Sequence, residues 1–224
     1  MTRLSVVMPA LNEAAGINTT LQRLAPWRAR GVEVIVVDGG SQDSTAEAAA
    51  SGANKVLAGP RGRAQQMNAG AAVAKGQTLL FLHADTQLPT HADTLIEQAL
   101  GSGRVWGRFD VRIEGSSPML RVVAAMMNLR SRCSGIATGD QAIFVRADVF
   151  RQLGGYAEQP LMEDIELSRR LLAVSRPACL RQRALTSGRR WQTHGVWTTI
   201  FLMWRLRWRY WRGESPETLA RAYR

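Results

Sequence analysis

An α/β fold with a mostly parallel central sheet is what this sequence predicts, and three observations predict it. Strand-like and helix-like segments alternate through the first hundred residues. The strand-like segments are near-continuous apolar runs rich in β-branched residues, as in strands covered on both faces. The stretches between them are long enough for helical crossovers. With 224 residues, the chain can build one domain around a substantial core.

Taken in order, Leu4–Met8 is a short apolar run ending at Pro9, and Ile17, Leu21 and Leu24 then recur at helical spacing until Pro26. Glu33–Asp38 is a β-branched strand closed by Gly39-Gly40, and a helix starts at Ser44 and runs to Ala50. Lys55–Leu57 gives a third strand, Gly59–Gly62 a loop, and Ala64–Ala74 an Ala-rich helix. Thr78–His83 is a fourth strand, followed past Pro89 by a helix over Ala92–Leu100. Beyond that, Val105, Phe109, Val111 and Ile113 alternate as in a half-buried strand. Pro118–Leu129 reads as an apolar helix, Gln141–Arg146 as a strand and Glu163–Ala173 as a helix. Val196–Trp211 is a Trp- and Arg-rich amphipathic helix. The organisation is one domain, 1–224. A nucleotide-binding half spans 1–103 and an acceptor and catalytic half 104–195, with the aromatic, basic helix in 196–224.

Composition narrows the partners. At 46% hydrophobic the chain is neither disordered nor polytopic, and no run reaches the roughly 18 apolar residues of a spanning helix. The N-terminus lacks a signal-peptide pattern. Cys133 and Cys179 alone make no disulfide framework, which fits a reducing cytoplasm, and both read as buried small hydrophobes. Of the net +11, residues 181–224 carry +8, with ten arginines against two acids. Such a tail suits an anionic membrane surface, a nucleic acid or substrate phosphates. Trp197, Phe201, Trp204, Trp208 and Trp211 share one face of its helix, which suits core packing, a homodimer contact or an in-plane membrane helix over 196–212.

In an open parallel sheet, ligands bind beyond the carboxyl ends of the strands. Those ends carry Pro9-Ala10-Leu11-Asn12-Glu13, Asp38-Gly39-Gly40-Ser41 and His83-Ala84-Asp85. A carboxylate there can accept from a nucleobase or ribose or hold a divalent cation; it can equally cap a helix or a turn. Neither G-x-G-x-x-G nor G-x-x-x-x-G-K-[ST] follows the first strand, which removes dinucleotide and Walker-type readings.

VVMPALNE, VVDGGSQDST, FLHADT and MEDIELSRRL together make the sequence resemble the family 2 glycosyltransferases, inverting enzymes with the GT-A fold. Through GRAQQMNAG, GDQAIFVR and SGRRW it is similar to a bacterial subgroup linked to arsenosugar biosynthesis. The resemblance implies a GT-A-like sandwich and transfer of a sugar from a nucleotide diphosphate, UDP by family habit, to an acceptor hydroxyl. That acceptor would be a small molecule or lipid-linked. It implies that Asp38 meets the base or ribose, with Pro9, Asn12, Glu13 and Arg63 shaping that pocket. Asp85 matches the metal-holding aspartate of D-x-D and would take Mg²⁺ or Mn²⁺. His83 stands where the first aspartate of that motif would be, as a metal ligand, a phosphate donor or a packing residue. Asp164 matches the general base, with Glu163 beside it. The acidic run Glu163, Asp164 and Glu166 also suits the first turn of a helix, whose dipole favours acids there. Arg189, Arg190 and Trp191 match the R-W of Q-x-x-R-W near diphosphate and acceptor, or form a basic turn. Gly139-Asp140-Gln141 is a sugar- or acceptor-contacting loop, or an ordinary turn. A sugar nucleotidyltransferase is the enzyme alternative, but PALNE supplies no Gly-rich phosphate loop. A nucleic-acid-binding module would exploit the charge, but the strand-end acids would repel phosphate, so no nucleic acid is expected.

Overall fold

The structure is a computed structural model and describes residues 3–223. Its centre is an eight-stranded sheet in the order β3-β2-β1-β4-β7-β6-β8-β5. The strands are β1 (Leu4–Ala10), β2 (Glu33–Asp38), β3 (Lys55–Ala58), β4 (Thr78–Phe81), β5 (Thr86–Gln87), β6 (Trp106–Ile113), β7 (Phe144–Arg146) and β8 (Ala178–Thr186). The first four are parallel, as the apolar runs imply. The other half is mixed: β7 is antiparallel to β4 and β6, β8 parallel to β6, and β5 antiparallel to β8.

Side chains alternate across the sheet and build two cores. Val6, Met8, Leu80 and Leu82 face one side, where α1 (Ala14–Ala29), α2 (Thr45–Ala50) and α4 (Ala92–Gly101) bring Ile17, Leu21, Ala49 and Ile96. Val7, Leu79 and Phe81 face the other, against α3 (Arg63–Val73), α6 (Ala147–Gln152) and α7 (Glu163–Val174). Helix α3 lies so close to the sheet that a Cβ on Gly70 would fall 2.4 Å from Val7 Cγ1.

Several elements depart from the sequence expectation. Helix α1 does not stop at Pro26; buried Trp27 anchors one more turn beyond the missing N–H. Strand β6 is buried on both faces rather than one. Arg108 and Asp110 lie inside it, tied to each other and to Arg132 beneath α5 (Met119–Ser134). The expected strand at Gln141 shortens to β7, because Gly139–Gln141 is a 3₁₀ turn. Cys133 is exposed and Cys179 half-buried, not core residues. The C-terminal part is α8 (Arg189–His194), α9 (Val196–Trp211) and α10 (Pro216–Tyr223). On α9 the aromatic stripe faces outward, with Trp197, Phe201, Trp204, Trp208 and Trp211 each 59–71% exposed, so it is not part of this chain's own core. Among the described residues, no helix is long and apolar enough to cross a membrane.

Candidate active site

The chain runs outward from β1 to β2 and β3, then returns to β4 on the other side of β1. Neighbouring connections therefore diverge between β1 and β4, which opens a crevice at their carboxyl ends. The last bond between the two strands is Leu82 N–H to Val7 O at 3.0 Å, while Gly39 N–H donates to Ala10 O at 2.9 Å on the β2 side. Successive residues of a strand alternate in bonding direction, so Pro9 turns its donorless nitrogen toward the β4 side, where the strands part.

The acids after β1 and β2 are held by a clasp between the loops. Asn12, in a left-handed conformation at φ 55°, accepts from Gln42 N–H at 2.9 Å and donates its own N–H to Ser41 Oγ at 2.9 Å. Asp38 accepts from Gly40 and Ser41 N–H at 3.1 and 3.0 Å and from the Ser41 hydroxyl. It is thus a turn-forming aspartate, half-buried, with lone-pair capacity remaining. Gln66 of α3 donates to Ala10 O and Val37 O, both at 2.8 Å, and pins the two strand ends.

Arg189, at the start of α8, joins the other strand ends. Its Nη2 lies 2.9 Å from both Glu13 carboxylate oxygens and 3.2 Å from Asp85 Oδ2. Its guanidinium is 60% exposed, so the bridge is a rim contact that a ligand can displace. His83 packs its ring against Gly139, where a Cβ would come within 2.6 Å, and sets Nδ1 3.6 Å from Asp140 Oδ1. Thr186 of β8 donates to Asp140 Oδ1 at 3.4 Å. Burial pushes the Asp140 carboxyl up, but His83, Arg63 and Thr186 together hold it below the usual carboxylate range.

Asp164 sits in the first turn of α7. Its Oδ2 accepts from Gly139 N–H at 2.9 Å and its Oδ1 from Ile165 N–H at 2.7 Å, so the carboxylate is fixed next to Asp140. Glu163 is 7% exposed, and burial first, then Asp164, raises its carboxyl above the ordinary value. Arg63, first residue of α3, faces this acidic group. Burial works against its charge, yet Glu163, Tyr223, Asp140 and Asp164 raise its pKa. Arg63 is exposed and the Asp140 side chain is 45% exposed, so both can be reached from solvent.

A series of contacts thus brings these side chains near one another: Asn12 to the Asp38 loop, Arg189 to Glu13 and Asp85, His83 to Asp140 and Gly139 to Asp164, with Glu163 and Arg63 beside that acidic group. Three expected site residues have their side chains engaged elsewhere. Gln141 is fully buried, accepting from Thr138 N–H at 3.1 Å and reaching Asn128 at 3.4 Å; it closes the 3₁₀ turn that aims Asp140. Arg190 stacks 3.8 Å over the Tyr223 ring and binds Tyr223 O, tying α8 to α10. Trp191 packs on the cluster of Val111, Leu120 and Val123. Thr186, on a strand with no apolar run to mark it in the sequence, joins these residues through Asp140.

Among the described residues, no three His, Cys, Asp or Glu side chains gather into a ready cation cage. Mg²⁺ needs no such cage: it keeps several waters and takes one or two carboxylates plus ligand phosphates. Asp85, half-buried, accepts from the exposed Arg189 at 3.2 Å and from the Thr86 hydroxyl at 3.5 Å, and it fits that shared kind of site.

The pattern of the glycosyl transferase family 2 matches residues 5–151. The chain belongs to that family. Uncharacterized glycosyltransferases of two Mycobacterium tuberculosis strains are 30% identical to it over 190 residues, 79% of this chain and 71% of theirs. This family 2 chain also shares its fold with S. aureus TarS. The TarS 1–349 structure in complex with UDP-GlcNAc superposes with a TM-score of 0.67 at 17% identity, covering 83% of this chain and 58% of that one. The complex of the same fragment with UDP gives 0.66 at 19% identity, covering 83% and 60%. The chain thus spans less than two thirds of the TarS fragment.

Proposed function

We propose that this family 2 chain is an inverting, metal-assisted glycosyltransferase that moves a sugar from a nucleoside diphosphate to an acceptor hydroxyl. The observation that supports the reading is the set of contacts linking three strand ends to one another and His83 to the Gly139–Asp140 turn, which holds the Asp164 carboxylate at the start of α7. The UDP-GlcNAc and UDP complexes of TarS support a uridine diphosphate donor.

Asp38 and Asn12 would receive the nucleoside, between the clasped loops. Arg189 would exchange Glu13 and Asp85 for the diphosphate, a partner that its fork matches in a bidentate way. That exchange would free Asp85 for a divalent cation, with His83 two residues away in the chain. Such a cation, when bound, neutralises charge growing on the leaving diphosphate. Asp164 would take the proton of the acceptor hydroxyl as its oxygen bonds to the anomeric carbon. The carbon–oxygen bond to the diphosphate breaks, and the nucleoside diphosphate leaves with the electron pair. A single displacement with one base inverts the anomeric configuration. Glu163, whose carboxyl is raised above the ordinary value by burial and then by Asp164, would stand beside that base.

The acceptor side adds a second reading, contact with an anionic membrane. On α5 the side chains Val122, Met126 and Leu129 are 54–56% exposed, and they lie beside the aromatic stripe of α9. Arg205 and Arg212 stand exposed along that stripe, complementary to anionic lipid headgroups. A membrane-near acceptor follows, and the arsenosugar-linked subgroup is one candidate context for it.

Thermal shift with a panel of nucleotide sugars, with and without Mn²⁺ or Mg²⁺, tests the donor reading, because a true ligand raises the melting temperature by mass action. A rise with a UDP-sugar that grows with metal is the expected result. Pyrophosphate release from a sugar 1-phosphate and a nucleoside triphosphate would instead identify a nucleotidyltransferase.

A further inference from the structure

Helices α5 and α9 pack along a seam that changes character along its length. At its first end Val196 and Ile200 of α9 pack on the cluster to which α5 gives Leu120, Val123 and Ala124. Seven residues bring a helix back to nearly the same face, so position 130 follows Val123 and position 207 follows Ile200 along that seam. An apolar pair is the ordinary expectation there. Both positions are arginine.

Neither side chain finds a partner. Among the described residues, Arg130 and Arg207 make no ion pair and no side-chain hydrogen bond, and Arg130 Nη2 is both buried and unsatisfied. Burial, and then the neighbouring Arg207, pull the Arg130 pKa down to about 10. Two half-buried guanidiniums beside one another, one of them with a buried unused donor, destabilise a fold unless an anion joins them. The seam ends over the start of α7, where Leu206 packs with Met162 and Ile165 around Asp164. The charges acting on Arg207 are those of Asp164 and Asp140, not of the strand-end acids Asp38 or Asp85.

We propose that Arg130 and Arg207 form a subsite for a phosphate group carried by the acceptor, next to Asp164. The inference rests on Asp164 as the acceptor-side base. Two forked cations suit the several acceptor oxygens of one phosphate better than the two of a carboxylate. The exposed apolar stripes of α5 and α9 lie on either side of this seam, an arrangement that suits a phosphate at the head of an apolar chain. A soluble phosphate ester offers the same headgroup chemistry.

Calorimetry with inorganic phosphate, on full-length protein saturated with UDP and Mn²⁺, tests the subsite apart from the donor site. The expected result is phosphate binding that weakens roughly tenfold or more in R130Q/R207Q, while UDP affinity stays within about twofold of wild type. Phosphate binding that is equal in the variant, or that UDP abolishes, overturns the proposal. So does a parallel loss of UDP affinity in the variant, which would assign these arginines to the donor. UDP failing to bind wild type would instead strike the donor reading. Should R130Q/R207Q fail to fold, wild type gives the answer alone. Phosphate at constant ionic strength raises the melting temperature of the UDP-bound protein, and no rise overturns the subsite. Vesicles of phosphatidic acid in phosphatidylcholine then separate the sources. Retention that R130Q/R207Q loses marks a lipid-borne phosphate; no retention alongside intact binding of free phosphate marks a soluble ester.

Discussion

The two sides of the cleft treat their charges in opposite ways. On the strand-end side, Asp38 is capped by its own loop, and Glu13 and Asp85 share Arg189. On the helical side, Arg130 and Arg207 have no side-chain partner among the described residues and lie near a fixed Asp164, Arg207 on the helix that carries the outward-facing aromatic stripe and Arg130 on its neighbour α5. A site whose groups are paired to one another must exchange those pairs for its ligand. A site whose charges are left over is incomplete until the ligand arrives. On the proposed reading, the difference makes donor recognition a substitution and acceptor recognition an addition.

The sharpest break in that comparison is Asp164→Asn. Loss of the proton acceptor should lower transfer by about a thousandfold, with nucleotide affinity nearly unchanged by calorimetry; equal loss of both would mean that Asp164 serves the donor. Next in size, Asp85→Ala should weaken nucleotide binding by roughly tenfold in Mn²⁺ and hardly at all in a chelator. A metal-independent loss would leave Asp85 as a partner of Arg189 only. Replacing Trp204 and Trp208 together by Glu should reduce retention on anionic vesicles by about tenfold and leave the melting temperature unchanged, since both side chains are mostly exposed. A wild-type dimer in solution that the variant abolishes would give the face to a second copy of this chain.

The smallest effect is the most specific. The raised Glu163 pKa means that the folded state binds its proton more tightly than the unfolded chain does. Its contribution is fully present below the unfolded value, near 4.5, and is lost as pH rises through the higher folded one. Glu163→Gln should therefore melt higher than wild type at pH 8. The gap should close as the pH falls below 4.5. A constant gap would point to packing rather than to the proton.

The parallel half was legible because its strands are apolar throughout: β2 matches its expected bounds, and β1 and β4 differ only at their carboxyl ends. Strand β8 was not, since Arg181, Gln182 and Arg183 lie exposed in its middle and leave neither an apolar run nor clean alternation. Strand β5 has two residues and exists through its pairing with β8, a contact a hundred residues away in sequence that no local pattern records. The acids of the cleft were legible from strand-end position and family resemblance. Of the two readings of Gly139-Asp140-Gln141 the turn is present, and polarity says nothing of direction within it: the 3₁₀ turn leaves Asp140 accessible and puts Gln141 in the interior. Arg130 and Arg207 needed the knowledge that two helices far apart in sequence lie side by side.

Pro9 carries a consequence beyond its own turn. A residue with an N–H at that position would offer β4 one more rung, whereas a pyrrolidine ring has none to give. The gap at the head of the sheet is therefore written into the covalent chain and does not wait for a visitor. A nucleotide entering there prises no ladder apart, so its binding energy goes to recognition instead of to making room.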